Sequence, residues 1–422
     1  MNRNRRHFIV AASSLLATRA LRASPGRRRV IIVGAGWGGL AAARQLRELA
    51  PEIEVLLIEK NERFVSLPIT NRWLAGLDDG RSLYQPLAAI AERNGYQLLR
   101  QMVTGIDRAN QRLITADGPL PYDWLLLSPG VREDWDGLAG GDAAAAQRLK
   151  QATFSGFVPE ADFARLKLRL TAFAGGNFLL NVPPAPYRCP PAPYERAVML
   201  AWLFKSRGLK AKITLVDPNA PWPGYQRVFR EYFRDQITYL PQTRLHQVDL
   251  ERRVASLDVD EVTFDEAILM PTQQAGDLCW QAGLIHRNEA GQATGWADVD
   301  PLTFRSRADP HIFVVGDSIG RVSPLFGYYP KTGQLAAHMG RIAAAQIVAA
   351  SRGVPVAPEL PGSTCYAQLS VEPPETVEIV SAYARRGDGQ LVQTIRQSRN
   401  NQPAGEADHW LDAMHRELFG LP

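Results

Sequence analysis

The chain has 422 residues, 45% hydrophobic and 22% charged, a balance typical of a globular protein of two or three domains. Five arginines precede Ser24; the 48 basic residues less these five leave 43, against 43 acidic residues. The net charge of +5 therefore belongs to the N-terminus, and the neutral remainder argues against nucleic-acid binding. The sequence contains no run of about 18 apolar residues, so it predicts no transmembrane anchor.

Residues 1–23 predict a targeting segment. Arg5 and Arg6 form a twin-arginine pair, and the apolar run that follows, from Phe8 to Ala17, has the length of a signal-peptide core rather than of a membrane span. The alternative is a basic, disordered tail. Because twin-arginine export carries folded, cofactor-loaded proteins, we expect a periplasmic protein.

The next segment predicts a strand–turn–helix–strand unit that binds a dinucleotide. A strand from Val30 to Val33 precedes a G-x-G-x-x-G turn and a helix from about Trp37, and the second strand, EVLLIE, ends in an acid. Glycines let backbone N–H groups approach a pyrophosphate, and an acid about twenty residues later binds the ribose hydroxyls. The predicted cofactor-binding residues here are Gly34, Gly36, Gly38, Gly39 and Glu59.

A second unit of the same outline has a different turn. Residues 178–205 predict strand, turn and helix, and Lys212 to Asp217 predict the next strand. The turn from Pro183 to Pro193 contains no glycine and is rich in proline, which has no N–H to offer a phosphate. We therefore predict a nucleotide-domain outline without an NAD(P) site, in which a stiff loop presents the thiol of Cys189.

Two apolar strands that end in glycine turns favour FAD as the cofactor. WLLLSPG ends at Gly130 and is similar to the strand that returns the chain to the FAD domain in two-dinucleotide-domain flavoproteins. HIFVVGDSIG carries Gly316 and Asp317, and in those flavoproteins this pattern places the aspartate on the flavin ribitol.

A helix start in PKTGQLAAHMG adds two further candidates, Lys331 and Gly333. In related flavoproteins this helix N-terminus faces the flavin pyrimidine oxygen, where its N–H groups stabilise negative charge. The alternative for the lysine is a solvated side chain at a helix start.

The chain contains three cysteines, Cys189, Cys279 and Cys365. Three thiols allow three disulfide pairings, and spacing alone does not choose among them. Cys279 lies in a predicted short helix and is interpreted as a small buried hydrophobe. No predicted cluster of residues suggests a metal site.

From about Arg28 onward the chain resembles the flavoprotein subunit of flavocytochrome c sulfide dehydrogenase, within the disulfide-reductase and sulfide:quinone oxidoreductase group. The resemblance is carried by PPAPYRCPPAPYERA, by GD followed by PKTGQLAAHMGRIAAA, and by TCYAQL. It implies a redox disulfide between Cys189 and Cys365 over the flavin, with Glu195 as an acid–base residue. The alternatives are that the disulfide is only structural, and that Glu195 is an acid favoured in the first turn of its helix by the helix dipole.

Two features depart from that family. Several members attach FAD through a cysteine in the segment that matches RFVSLPITNRWLAG, where this chain has Leu67, so we predict non-covalent FAD. Residues 325–329, LFGYY, are interpreted as a short insertion that places aromatic bulk close to the flavin.

The predicted fold is α/β, with two Rossmann-like domains of the glutathione-reductase type and a C-terminal α+β segment. The expected division is a signal peptide (1–23), the FAD domain (24–150), a second Rossmann-like domain (151–300), the return of the FAD domain (301–350) and a C-terminal segment (351–422).

The predicted activity is oxidation of a small sulfur substrate, sulfide, with electrons passed to a c-type cytochrome. The cytochrome is a separate subunit or soluble cytochrome c, because this chain has no C-x-x-C-H motif. The alternatives are a sulfide:quinone oxidoreductase-like enzyme and an accessory flavoprotein of sulfur oxidation. Residues 408–420 are amphipathic but are typical of a helix packed on the body rather than of a membrane-docking segment.

Overall fold

The computed structural model describes residues 26–157 and 161–422, so the predicted targeting segment lies outside the described residues. The helices are α1 (Trp37–Leu49), α2 (Thr70–Leu74), α3 (Leu87–Asn94), α4 (Ala143–Ala152), α5 (Ala161–Ala172), α6 (Ala192–Ser206), α7 (Pro223–Tyr232), α8 (Asp277–Gln281), α9 (Gly333–Arg352) and α10 (Glu406–Phe419). The strands are β1 (Arg29–Val33), β2 (Glu54–Glu59), β3 (Arg63–Val65), β4 (Tyr84–Pro86), β5 (Gln97–Arg100), β6 (Val103–Asp107), β7 (Arg112–Thr115), β8 (Gly118–Pro121), β9 (Trp124–Leu127), β10 (Val131–Asp134), β11 (Gly176–Asn181), β12 (Ala211–Asp217), β13 (Ile237–Pro241), β14 (Leu245–Asp249), β15 (Val254–Leu257), β16 (Glu261–Thr263), β17 (Glu266–Ile268), β18 (Thr272–Ala275), β19 (Ile285–Arg287), β20 (Ala293–Ala297), β21 (Ile312–Val314), β22 (Ser363–Ser370), β23 (Glu375–Arg385) and β24 (Leu391–Asn400).

A parallel five-stranded sheet of order β21-β9-β1-β2-β5 holds the first nucleotide unit. Apart from Arg29, strands β1, β9 and β21 are apolar runs buried along their length, as expected for a parallel sheet covered on both faces. Helices α1 and α9 cross closely because both carry small residues at the contact. A Cβ on Gly340 would lie 2.2 Å from the carbonyl oxygen of Gly38. This crossing fixes the turn after β1 against the start of α9.

A second parallel sheet, of order β13-β12-β11-β17, holds the second unit. Its register repeats that of the first. Val33 at the end of β1 pairs with Ile58, and Glu59 follows; Asn181 at the end of β11 pairs with Val216, and Asp217 follows. Glu59 and Asp217 therefore occupy equivalent positions in the two units.

The C-terminal segment forms an antiparallel sheet of order β22-β23-β24, followed by α10. Helix α10 packs on the first unit: the ring of His415 stacks on Trp37 with a centroid distance of 5.7 Å, and its Nε2 lies 2.8 Å from Ser66 Oγ. Strand β22 contacts α6 and α7 of the second unit. The C-terminal segment thus touches both units, and the α/β prediction with two Rossmann-like sheets is confirmed.

Candidate active site

One cavity of about 990 Å³ collects nearly every residue predicted for the site. It opens where strands of the first sheet end, against the turn before α6 and the edge of β22. The predicted residues among its lining are Gly34, Gly36, Gly38, Glu59, Gly130, Cys189, Glu195, Gly316, Asp317, Lys331, Gly333 and Cys365. Gly39 is outside the lining because it packs inward, where a Cβ would lie 1.9 Å from the carbonyl oxygen of Gly34.

The turn after β1 is a glycine cradle suited to a pyrophosphate. Gly34 has a φ of +99°, and a Cβ there would lie 2.3 Å from the carbonyl oxygen of Ser128. Gly36 differs, because a Cβ there would meet nothing within 4 Å. Its bare backbone therefore faces open cavity, which is the arrangement a dinucleotide phosphate needs.

The carboxylate of Glu59 is oriented at the end of β2. Its Oε2 accepts a hydrogen bond from Ala35 N at 2.9 Å, and its Oε1 accepts one from Asn61 N at 2.9 Å. These two N–H donors fix the acid on the cavity wall at the position where dinucleotide units bind a ribose. The residues present fit the adenosine half of FAD.

Asp317, predicted on the flavin ribitol, is paired with an arginine that sequence reasoning missed. Arg188 Nε donates to Asp317 Oδ2 at 2.7 Å, and Arg188 Nη1 donates to Phe157 O at 2.9 Å. Arg188 directly precedes Cys189 in the proline-rich turn. That adjacency was the available signal: a cation beside the proposed reactive thiol, in a loop placed against the Gly-Asp turn.

Lys331 is not the solvated side chain of the alternative reading. It is 3% exposed; its Nζ donates to Asp317 O at 2.7 Å and Ile319 O at 3.2 Å, and lies 3.8 Å from the centroid of the Trp296 ring. Burial lowers the pKa of Lys331 to about 7. The Lys331 side chain thus braces the turn around Asp317, while the N-terminus of α9, at Gly333, forms the adjacent cavity wall.

The two candidate redox cysteines reach the cavity from different elements. Cys189 has a φ of +52°, an unusual conformation for a non-glycine residue, and its N–H donates to Lys331 O at 2.8 Å. Cys365 lies in β22, whose neighbouring Thr364 N donates to Gln334 Oε1 on α9. Both segments are therefore anchored to the start of α9.

Both cysteines are free thiols in this structure, so the disulfide predicted for the resting protein is not formed here. The pairing of Cys189 with Cys365 therefore stays a prediction. Burial raises the pKa of Cys189 well above its usual value, and the neighbouring Cys365 and Glu195 raise it further. Burial also raises the pKa of Cys365 to about 12. Burial thus favours the neutral form of both thiols.

Glu195 sits in the first turn of α6 and bridges two elements. Its Oε2 accepts from Asn71 Nδ2 at 2.7 Å, and its Oε1 accepts from Gln368 N in β22 at 2.8 Å. Burial raises the pKa of Glu195, while these two hydrogen bonds lower it. Glu195 therefore lines the cavity and is held by two defined donors, which an acid that only interacts with the helix dipole does not require.

In the second unit the acid at the equivalent position, Asp217, is not accessible to a ligand. Asp217 is fully buried; its Oδ2 accepts from the hydroxyls of Tyr194 and Tyr239, each at 2.7 Å. Its Oδ1 accepts from the backbone and side-chain N–H of Asn219, which in turn bonds the proline turn at Pro183 O and Ala185 N. Asp217 therefore holds the loop that carries Cys189, and it has no free oxygen for a ribose.

The structure also places the remaining residues singled out from the sequence. Leu67 lines the cavity, as expected for the residue at the position of covalent attachment. The expectation that residues 325–329 lie close to the flavin is wrong. None of them lines the cavity; instead Tyr329 packs edge-on against Tyr383 of β23, at 4.6 Å between centroids, because this buries its ring against the C-terminal sheet. Cys279 is fully buried in α8.

Within residues 26–157 and 161–422, no helix is long and apolar enough to cross a membrane. The same residues contain no group of three or more His, Cys, Asp or Glu side chains that could hold a metal ion.

Two family models match the chain. Residues 28–168 match pyridine nucleotide-disulphide oxidoreductase, and residues 164–271 match the central part of the sulfide dehydrogenase (flavocytochrome c) flavoprotein chain. A sulfide-quinone reductase of Aquifex aeolicus is 23% identical over 340 residues, covering 76% of each chain. The mitochondrial sulfide:quinone oxidoreductase of Mus musculus is 21% identical over 303 residues, covering 68% of this chain and 65% of that protein.

Solved structures show the same fold. The sulfide:quinone oxidoreductase structure from Aquifex aeolicus superposes with a TM-score of 0.72 at 19% identity, covering 92% of this chain and 90% of that one. An NAD-dependent persulfide reductase from A. fulgidus gives 0.64 at 15% identity, covering 92% and 76%. The resemblance to the sulfide dehydrogenase flavoprotein and the prediction of FAD as cofactor are confirmed.

Proposed function

We propose that this protein is an FAD-dependent sulfide dehydrogenase in which Cys189 and Cys365 form the redox pair. The observation that carries the proposal is their convergence. They lie 365 − 189 = 176 residues apart, yet both line the cavity that holds the glycine cradle and the oriented Glu195. The match to a sulfide dehydrogenase flavoprotein, and the names of the relatives, support sulfide as the substrate.

The proposed reaction begins with the disulfide form of the pair. Hydrosulfide attacks one sulfur, so that an S–S bond forms to the substrate, the protein disulfide breaks, and the products are a cysteine persulfide and a thiolate. A second hydrosulfide takes the outer sulfur away as HS₂⁻ and leaves a thiol. Return of the thiol and thiolate to the disulfide releases one proton and two electrons. FAD, when bound, supplies the two-electron acceptor.

Glu195 is the proposed proton acceptor for that last step. Its carboxylate lies in the same cavity as both thiols; burial raises the pKa of each cysteine, and the negative charge of Glu195 raises it further. The same coupling makes proton loss from a thiol unfavourable unless a nearby base takes the proton. Glu195 is the carboxylate placed to do so.

We propose that FAD is held without a covalent bond. Leu67 has no nucleophile to offer, although it lines the cavity at the matching position. Acid or heat denaturation should therefore release all of the flavin into the supernatant. Flavin that stays with the precipitated chain contradicts this part of the proposal.

For the acceptor and location we propose a c-type cytochrome in the periplasm. The flavocytochrome c match supports the cytochrome, and the twin-arginine pair in residues 1–23 supports export. The competing acceptor is a quinone, favoured by the names of the sulfide:quinone relatives. Steady-state assays with cytochrome c and with a short-chain quinone analogue separate the two; faster turnover with the quinone contradicts the cytochrome.

The test of the activity is anaerobic addition of sulfide to the oxidised holoenzyme with the flavin spectrum recorded. We expect bleaching in the wild type and in Cys279→Ala, and loss of bleaching in Cys189→Ser and Cys365→Ser. Cys279 is the matched control because it is a buried cysteine outside the cavity. Absence of bleaching in the wild type would favour an accessory flavoprotein instead.

A further inference from the structure

Asn71, a buried asparagine of α2, contacts the proposed acid–base residue directly. It is 4% exposed, and its Nδ2 donates to Glu195 Oε2 at 2.7 Å and to Ala192 O at 3.1 Å. It also belongs to the cavity lining. A buried amide with both of its N–H groups directed at α6 is placed to act on the carboxylate rather than only to fill space.

The orientation of this amide is fixed by Arg196. Arg196 Nε donates to Asn71 Oδ1 at 3.0 Å, so a flipped amide would turn its NH₂ toward the guanidinium and its oxygen toward the carboxylate. Arg196 is 2% exposed, and its remaining nitrogens donate to the carbonyls of Ser155 and Gly156. The arginine cannot leave without abandoning these bonds in the interior.

The other oxygen of Glu195 joins the strand that bears Cys365. Oε1 accepts from Gln368 N, three residues beyond that cysteine on β22, while Glu195 itself follows Cys189 by six residues. The carboxylate thus links the two cysteine segments. Both of its oxygens must accept, because Asn71 donates to one and Gln368 N to the other.

We infer that Asn71 is a positioning residue of this site: locked by Arg196, it orients the Glu195 carboxylate and thereby holds the two cysteine segments in register. The inference rests on the proposed function for its catalytic meaning. Its structural content, an oriented carboxylate that links the two cysteine segments, can be measured without sulfide.

The charged and titratable groups that face Glu195 come from every element packed around it: Arg72 from α2, Arg196 from α6, Cys189 from the turn, Tyr225 from α7 and Cys365 from β22. Burial raises the pKa of Glu195, the Asn71 bond lowers it, and the arginines lower it further. Removing Asn71 should therefore raise that pKa, and the carboxylate should become protonated at a higher pH. A lost hydrogen bond to a charged group corresponds to a shift of roughly 1–2 pH units.

The first measurement is an infrared titration of the holoprotein, following the protonated-carboxyl band that Glu195→Gln removes. In Asn71→Ala we expect its midpoint to move up by about 1–2 pH units, with FAD content retained. The exposed Asn110→Ala is the control and should leave the midpoint in place. Where Asn71→Ala does not fold, Asn71→Ser serves instead. An unshifted midpoint overturns the inference.

The second measurement is the rate at which Cys189 and Cys365 close to a disulfide under a mild oxidant. Glu195→Gln leaves an NH₂ facing one of the two donors, so closure should slow by about tenfold if one such hydrogen bond is lost. In the exchange variant Asn71→Asp/Glu195→Gln, each donor of this network again has an acceptor, and only the carbonyl of Ala192 loses its donor. Its new carboxylate, on α2, accepts from Arg196 and from the new amide on α6, whose oxygen still accepts from Gln368 N. The added oxidant, diamide, accepts the protons as well as the electrons of closure, so closure here reports the position of the two thiols rather than the base. We expect the exchange variant to close faster than Glu195→Gln but not to oxidise sulfide, because the carboxylate has moved from α6 to α2.

Equal closure rates in Glu195→Gln and the exchange variant would contradict the positioning role. A wild type that closes its disulfide normally but is not bleached by sulfide would instead refute the proposed function and leave the inference standing.

Discussion

The two strand–turn–helix–strand units of this protein share an outline and a register but differ in what they do with their polar groups. In the first unit, the turn is rich in glycine, and Glu59 lies on the cavity wall, held by two backbone N–H groups. In the second, the turn is proline-rich and Asp217, at the equivalent position, is fully buried beneath two tyrosine hydroxyls and Asn219.

In the second unit the same outline supports the loop of Cys189, because its acid is turned inward. An acid at the end of the second strand is available to a ribose only if no protein donor reaches it first. In the second unit Asn219 couples the acid to the proline turn, so the groups that would bind a nucleotide now hold Cys189 in place.

The largest effect on cofactor content should follow from filling the cradle of the first unit with Gly36→Val. Gly36 has an ordinary φ of −78°, and a Cβ there meets nothing within 4 Å, so the chain should still fold. The side chain would occupy the space through which a pyrophosphate approaches the backbone. We expect FAD content after purification to fall at least tenfold, a loss of about 1.4 kcal/mol or more in binding.

The control is Gly387→Val, in the exposed turn between β23 and β24, where a Cβ also meets nothing within 4 Å. It should keep its full complement of FAD. A Gly36→Val protein that retains flavin would show that the first unit does not hold the pyrophosphate.

The second unit should respond in stability rather than in cofactor content. In the wild type the hydroxyls of Tyr194 and Tyr239 donate to Asp217 Oδ2. Asp217→Asn keeps the shape of this side chain but places an NH₂ group where that oxygen accepts. The loss of charge-assisted hydrogen bonds in the interior should cost about 2–4 kcal/mol. Denaturant unfolding followed by fluorescence should show a lower midpoint with FAD still bound, and the exposed Asp260→Asn should show little change. Loss of FAD at unchanged stability would mean that Asp217 serves the cofactor.

No measurable effect is expected from nicotinamide cofactors. The proline turn lacks the N–H groups that a pyrophosphate needs, and the sealed acid lacks a free oxygen for a ribose. NADH and NADPH should therefore leave the flavin spectrum unchanged under anaerobic conditions. Rapid bleaching by either would show that the two units are less different than we argue.

The sequence predicted the parts of this comparison that depend on local pattern. The cradle, Glu59, the proline turn and the Gly-Asp turn follow from residue type and spacing along a strand–turn–helix unit. The sealing of Asp217 could not be predicted in this way, because it depends on Tyr239, from a strand more than twenty residues further along. The pairing of Arg188 with Asp317 likewise joins residues 129 positions apart.

Residues 325–329 show the same limit of prediction from sequence. Their aromatic composition predicted bulk beside the flavin, but Phe326 and Tyr329 found an apolar partner in Tyr383 of the C-terminal sheet. Sequence order placed them next to Lys331, whereas packing against β23 decided which way the rings faced.

We propose that the second unit carries a redox thiol, Cys189, that pairs with Cys365 beside FAD. The most direct test of this pairing is a count of the electrons that the oxidised protein takes up. The experiment is an anaerobic dithionite titration of the air-oxidised holoenzyme, with the flavin spectrum and free thiols followed together. We expect four electrons per FAD in the wild type, two for the flavin and two for the disulfide, and two in Cys189→Ser or Cys365→Ser. A wild type that takes up two electrons per FAD and already shows both thiols free would refute the redox pair.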